Sequence, residues 1–206
     1  MSADSRTFAA DTPDEVLETL RQAGAILEGH FLLTSGRHSY RFLQMSQVWQ
    51  YPAQAERLAR ALGSRVADRL GPDAAETVVG PAMGGVIIGY EVARALGLRS
   101  VYTEKEGEGM ALKRGFRVHP GERVLMTEDA VTTGGSVRKA MDALRAAGAV
   151  PVAVATAVDR SLGKADLGVP LISLVQVDIP SYPPDDCPLC RQGLPLTKPK
   201  SVTARE

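Results

Sequence analysis

Val124-Leu125-Met126-Thr127-Glu128-Asp129-Ala130-Val131-Thr132-Thr133-Gly134-Gly135-Ser136 is the stretch whose reading decides the fold. It begins as an apolar run of the kind buried in a strand, Val124-Leu125-Met126 ahead of Thr127. It ends at Gly134-Gly135, where the missing Cβ atoms let the backbone turn tightly and bring successive N–H groups toward one point. Beyond the glycines, Val137, Ala140, Met141, Leu144 and Ala147 recur at helical spacing until Gly148 stops the helix. A buried strand, a glycine turn and an amphipathic helix form one unit of a parallel α/β sheet, and ligands bind such sheets at this turn.

The turn also carries chemistry. A helix N-terminus offers unpaired donors and partial positive charge, and Thr132, Thr133 and Ser136 add hydroxyls. Together they make a socket for a phosphate monoester without any cationic side chain. Glu128 and Asp129 would repel a phosphate if they pointed into that socket. They must face something else, and vicinal sugar hydroxyls one ribose-width away are a fitting partner. A turn chosen for geometry alone accounts for the glycines but not for two acids in front of them. A nucleoside-triphosphate loop fits poorly, because no lysine follows directly after the glycines as that motif requires.

The same grammar extends to both sides. Thr77-Val78-Val79 reads as a strand running into Gly80-Pro81-Ala82-Met83-Gly84-Gly85, then a helix with Ile88, Val92 and Leu96 inward and Gly97 as its stop. Ser100-Val101-Tyr102, Val150 to Val158 and Leu171 to Val177 supply further strands. Upstream, Thr12-Pro13-Asp14-Glu15 is a capping box with proline at the first helical position, followed by a stripe of Val16, Leu17, Leu20 and Ala23 and a stop at Gly24. A second helix is expected from about Ala53 to Leu70, with Leu58, Leu62, Val66 and Leu70 spaced by four. Between these helices, Phe31-Leu32-Leu33 and Arg41-Phe42-Leu43 flank the polar turn Thr34-Ser35-Gly36-Arg37, a small strand pair. The expected fold is α/β, a mostly parallel central sheet flanked by helices. It forms one domain over 1–206, with a small N-terminal hood at about 12–50, a core at about 52–178 and an irregular, proline-rich tail at about 179–206.

Composition narrows the function classes. Lys plus Arg and Asp plus Glu both number 24, so the chain lacks the basic excess of a bulk nucleic-acid binder. No apolar run approaches the roughly 18 residues that span a bilayer, and the polar start from Met1 to Asp11 has no basic-then-apolar signal pattern. No nucleic-acid or membrane partner is expected, and a cytoplasmic location is.

The stretch from Val124 to Ser136 resembles the phosphoribosyl pyrophosphate (PRPP) motif of type I phosphoribosyltransferases. Three further stretches resemble the orotate branch of that family: Phe31-Leu32-Leu33-Thr34-Ser35-Gly36-Arg37-His38-Ser39, Gly80 to Gly85, and Val158-Asp159-Arg160. The likeness covers roughly residues 12 to 178. It implies the type I fold and a magnesium-dependent transfer of ribose 5-phosphate from PRPP to N1 of orotate in pyrimidine biosynthesis, giving orotidine 5'-monophosphate and pyrophosphate. Such a reaction passes through an oxocarbenium-like transition state, so positioning and charge stabilisation carry catalysis. The resemblance assigns Glu128 and Asp129 to the ribose hydroxyls and the metal-bound donor, and Ala130, Val131, Thr132, Thr133, Gly134, Gly135 and Ser136 to the 5-phosphate. Thr132 and Arg160 would contact orotate, Arg160 by a bidentate pair with its carboxylate, and Ser35, Arg37 and Phe42 would belong to the hood over the base.

Glu104 to Phe116 is glycine-rich and charged. It is either a mobile lid or an ordinary solvated hairpin, and in the family a loop here reaches across a homodimer interface into the neighbouring site. Departures from the family pattern concentrate around the pyrophosphate. Glu104-Lys105 stands where many members have Arg-Lys, a usual lysine is Gly84, another is Thr34, and the loop is short. Lys105, Lys113 and Arg114 are the expected replacements, Lys105 and Lys113 as catalytic cations, with Arg37 a further candidate.

Cys187-Pro188-Leu189-Cys190 has the spacing of half a tetrahedral zinc site. No His or Cys lies near it in sequence, since His30, His38 and His119 are far upstream. A turn with reduced thiols, a local disulfide, or two pairs joined across a twofold axis are the readings left open. Two alternatives to the main function remain: a transferase for another nucleobase, and a non-catalytic PRPP-sensing regulator.

Overall fold

Thr12 starts the first helix by a reciprocal pair of bonds. Glu15 N–H donates to its hydroxyl at 3.3 Å, and Thr12 N–H donates to the Glu15 carboxylate at 2.8 Å. Pro13 takes the first helical position, and α1 (Pro13–Gln22) buries Val16, Thr19 and Leu20. This computed structural model describes residues 11–33 and 35–199. Thr34, and most of the polar start read for a targeting signal, lie outside the described residues.

A two-stranded antiparallel sheet follows, β1 (Ile26–Leu32) against β2 (His38–Leu43). Glu28 pairs with Arg41 and Phe31 with Ser39, so β1 carries one extra residue between those pairs. Next come α2 (Ser46–Trp49), a short turn the sequence did not announce, and α3 (Pro52–Leu70). The core then alternates: β3 (Thr77–Pro81), α4 (Gly84–Leu96), β4 (Arg99–Glu106), β5 (Gly109–Leu112), β6 (Arg123–Val131), α5 (Gly135–Ala146), β7 (Val150–Asp159) and β8 (Leu171–Gln176). Gly97 ends α4 in the left-handed conformation.

The large sheet runs in the order β5-β4-β3-β6-β7-β8, parallel throughout except between β4 and β5. Both faces are covered, as the apolar runs require. Because a strand alternates sides, Val78, Leu125, Ala153 and Ala155 pack with Leu58 and Leu62 of α3 and Ile88 and Val92 of α4. Their neighbours Val79, Val124, Met126 and Val154 pack with Val137, Ala140, Met141 and Leu144 of α5. From β3 the chain crosses to β4, and from β6 it crosses the opposite way to β7. The turns after β3 and β6 therefore open on one crevice, the topological switch point of the sheet.

The structure changes some of these expectations and sharpens others. Strand β6 continues through Glu128 and Asp129 to Val131, so the acidic pair belongs to the strand rather than to the turn. The segment from Glu104 is a regular hairpin, with Thr103 opposite Leu112 and Glu106 opposite Gly109. The proline-rich tail is seated on the β1–β2 sheet, with a short helix α6 (Pro188–Arg191). His38 and Tyr182 exchange backbone bonds at 2.9 and 2.8 Å, and Thr197 N–H donates to His30 O at 2.8 Å. That docking also corrects the view that no histidine accompanies the cysteine pair, because His30 and His38 lie beside it in space.

Candidate active site

The turn between β6 and α5 is held by its packing on Leu167 and by Arg138. Gly134 sits at φ 73°, ψ 15°, a left-handed conformation that disfavours side chains, and a Cβ there would stand 2.4 Å from Leu167 Cδ2. Arg138 clasps the turn from outside, donating to Thr133 O at 2.6 Å and to Asp166 O at 2.7 Å. No side chain caps α5, and its first backbone bond runs from Arg138 N–H to Gly134 O at 2.9 Å. The N–H groups of Gly135, Ser136 and Val137 therefore have no helical acceptor. They line a cavity of about 260 Å³ together with Glu128 and residues 130–134. An uncapped helix start facing a cavity of that size is an anion socket.

Glu128 and Asp129 lie at the carboxyl end of β6, beside the socket. Gly84, at the start of α4, passes so close that a Cβ would lie 2.8 Å from Glu128 Oε1 and 2.9 Å from Asp129 Oδ1. The glycine at the position of a usual lysine thus lets the backbone pack against the acids. Among the described residues both carboxyls bond only to local backbone: Asp129 N–H donates to Glu128 at 3.3 Å, and Ala130 N–H to Asp129 at 2.6 Å. Burial, then the neighbouring Asp129 charge, pushes the Glu128 pKa to about 8, and burial raises that of Asp129 as well. Among the described residues no cation contributes to either shift. The pair is an electronegative site waiting for positive charge or hydroxyl donors.

Arg160 follows the last residue of β7, and its N–H donates to Val131 O at 2.7 Å, tying it to the socket strand. Its Nε is buried without an acceptor among the described residues, and burial pulls its pKa below the ordinary arginine range. The adjacent Asp159 does not pair with it. That carboxylate accepts from Ser161 N–H at 2.7 Å, Ser161 Oγ at 2.6 Å, Gly163 N–H at 2.9 Å and Gln176 at 3.1 Å. An underused guanidinium near a phosphate socket suits a planar carboxylate ligand.

The remaining candidates are distributed differently. Lys105 lines a second cavity of about 430 Å³, between the hairpin tip and the start of α5, with Gly135, Ser136 and Lys139. Lys139 escaped the sequence reading, although its spacing from Ser136 along a helix was available as a signal. Lys113 donates to Lys105 O at 3.1 Å and lies 3.5 Å from Glu106, and Arg114 pairs with Glu104 at 2.5 Å. Both are therefore engaged by the hairpin's own groups. Arg37 donates through Nε to Ser181 Oγ at 2.8 Å and through its terminal nitrogen to Ser181 O, so the tail holds it. Phe42 packs against Phe31 with centroids 6.1 Å apart, and Ser35 is exposed on the turn. The crevice thus gathers Glu128 through Ser136, with Lys105 adjoining. Lys113, Arg114, Arg37 and Phe42 have partners elsewhere.

Comparison with known proteins follows the same lines. Residues 44–167 match the phosphoribosyl transferase domain family. The chain is 50% identical over 190 residues to an orotate phosphoribosyltransferase of Heliobacterium modesticaldum, covering 92% of this chain and 98% of the relative. It is equally similar, over the same shares, to the orotate phosphoribosyltransferase of Pelotomaculum thermopropionicum. The crystal structure of orotate phosphoribosyltransferase from Aeropyrum pernix superposes with a TM-score of 0.66 at 26% identity, over 79% of this chain and 93% of that one.

Proposed function

The chain belongs to the orotate phosphoribosyltransferases, and from that premise we propose which of its residues carry ribose 5-phosphate from PRPP to N1 of orotate. The uncapped N–H groups and hydroxyls of Ala130 to Ser136 bind the 5-phosphate. Glu128 and Asp129 take the ribose hydroxyls and face the magnesium that PRPP brings as part of the substrate. Glu128 gives up its proton as that cation arrives, and both carboxylates then stabilise the positive charge that develops on the ribose ring. Arg160 forms a bidentate pair with the orotate carboxylate, and Thr132 orients the base from the socket side. Lys105, at the hairpin tip, receives the pyrophosphate. Lys113 and Arg114 join it when they exchange Glu106 and Glu104 for the leaving group, and Lys139 extends the same positive rim. Ser35, Arg37 and Phe42 form the hood.

The single observation that carries this reading is the juxtaposition of an uncapped helix start with a half-buried acidic pair that has no counter-cation among the described residues. The reading includes a homodimer. Met83, just before α4, and Ile87 and Tyr90 on it are exposed apolar residues that a partner copy would cover. It also includes a cytoplasmic location and no nucleic-acid partner. The acceptor is tested by following consumption of orotate with PRPP and magnesium beside uracil, hypoxanthine and adenine. Orotate alone should be consumed, and turnover of another base without orotate would overturn the assignment of Arg160.

A further inference from the structure

We propose that His30, His38, Cys187 and Cys190 form a structural zinc site that fastens the C-terminal tail to the β1–β2 hairpin. The ligand atoms all lie within 4.8 Å of one another. His30 Nε2 is 3.0 Å from His38 Nδ1, 3.5 Å from Cys187 Sγ and 3.8 Å from Cys190 Sγ, and Cys190 Sγ is 3.3 Å from His38 Nδ1. A zinc tetrahedron with bonds of about 2.0–2.1 Å to nitrogen and 2.3 Å to sulfur has edges of about 3.3–3.8 Å. The cluster already has nearly those dimensions. Three of the residues are buried and Cys190 closes the outer side, as in a site with no open position.

Hydrogen bonding alone does not account for this packing. A carbonyl can only accept, so His30 Nδ1–H donates to Leu194 O at 2.8 Å. That fixes the tautomer and leaves one lone pair on Nε2, aimed into the cluster. His38 Nδ1 and the two thiols all crowd that lone pair, which can accept from one of them, and a His38 Nδ1 without a proton would set a second lone pair against it at 3.0 Å. A divalent cation at the centre satisfies all the ligand atoms together. Two thiolates and two neutral imidazoles around zinc also make a neutral unit, so the burial leaves no net charge in the interior.

The tail explains why such a bond is needed. Among described residues 179–199, Cys187 alone is buried, so this segment has no apolar core of its own. It is held by backbone bridges on either side of the cluster, His38 with Tyr182 and Phe31 with Thr197, and by Ser39 Oγ donating to Pro180 O. A metal is a common replacement for a missing core in a segment this small. The ligands come from residues 30, 38, 187 and 190, all outside the span 44–167 that matches the transferase domain, so the site adds to the catalytic fold without entering it.

The test is metal content of the full-length chain after zinc loading and removal of excess. One zinc per chain is expected, falling to background in Cys187→Ser/Cys190→Ser and in His30→Asn. In the unaltered protein, stripped of metal, cobalt(II) should bind to an endpoint of one per chain, with thiolate-to-cobalt charge-transfer bands and the visible bands of a tetrahedral ion. This arm needs no variant to fold. Chelation should open the tail to protease while the core stays intact. No zinc, half an equivalent per chain, cobalt spectra without thiolate bands, or full zinc retention by the double cysteine variant would each overturn the proposal.

Discussion

Strand β6 has a glutamate toward each end, Glu122 buried and Glu128 half-buried, and the fold treats them in opposite ways. Glu122, just before the strand, accepts from the Thr77 hydroxyl at 2.5 Å, from His119 N–H at 2.7 Å and from Arg99 at 2.5 Å. Burial pushes its pKa up, but these donors outweigh that and hold it below the ordinary glutamate value. Glu128 has one long bond from its neighbour's N–H, and its pKa stands at about 8. The amino end of the sheet is satisfied within the chain. The carboxyl end has been left for something from outside, and the cost of burying its acids is carried by the rest of the core.

That contrast can be broken most sharply by exchanging each acid for its amide. Glu128→Gln should lower kcat/KM for PRPP by about 10²–10³-fold, the usual loss when a transition-state contact is removed. Steady-state kinetics at saturating orotate checks this, and a loss under about tenfold would mean that the unsatisfied end has no catalytic purpose. Arg160→Gln, at the same end, should raise KM for orotate by about 10- to 100-fold while leaving KM for PRPP within about twofold, since a charged hydrogen-bonded contact contributes about 1.5–3 kcal/mol. Equal effects on both substrates would move Arg160 out of the base site. Glu122→Gln should leave kcat within about twofold and destabilise the fold by about 1–3 kcal/mol, with the solvent-exposed side of Arg99 keeping the value low. Thermal melts would show this as a fall of about 2–10 °C.

The smallest effect sharpens the comparison through pH. The raised pKa of Glu128 means the folded chain holds a proton that the unfolded chain releases near pH 4.5. Its contribution is fully present below that pH and fades as pH rises toward about 8. Glu128→Gln should therefore melt at the same temperature as the unaltered protein in acid and several degrees higher above pH 8. For Glu122 the sign reverses: its lowered pKa gives stability that is present above the ordinary glutamate range and is lost as pH falls through the folded value. Parallel pH profiles for the two variants would contradict the asymmetry.

Much of the core was legible because its instructions are local. Thr12 to Glu15 cap a helix by contacts three residues apart, and Val124 to Ser136 state strand, acids, turn and helix in one run. The alternation that identifies a parallel sheet is likewise carried by each segment separately. What failed to show was long-range. His30 and His38 are far from Cys187 and Cys190 in sequence, and only the seating of the tail on the hairpin brings them together. Arg37 reads as a free cation until Ser181 is found beside it. Lys113 and Arg114 read as free cations until the folded hairpin sets them against Glu106 and Glu104. The extension of β6 through Glu128 and Asp129 was hidden for another reason: acids are poor strand formers, and pairing with β7 overrides that preference.

The claim at the centre is that Glu128 is protonated in the empty enzyme and is discharged by the donor it awaits. Calorimetric titration of magnesium-PRPP at pH 7, in buffers of different ionisation enthalpy, counts the protons released on binding. The account predicts that the unaltered protein releases about one proton per site more than Glu128→Gln does. Equal proton release by the two proteins, with both saturated, would contradict it.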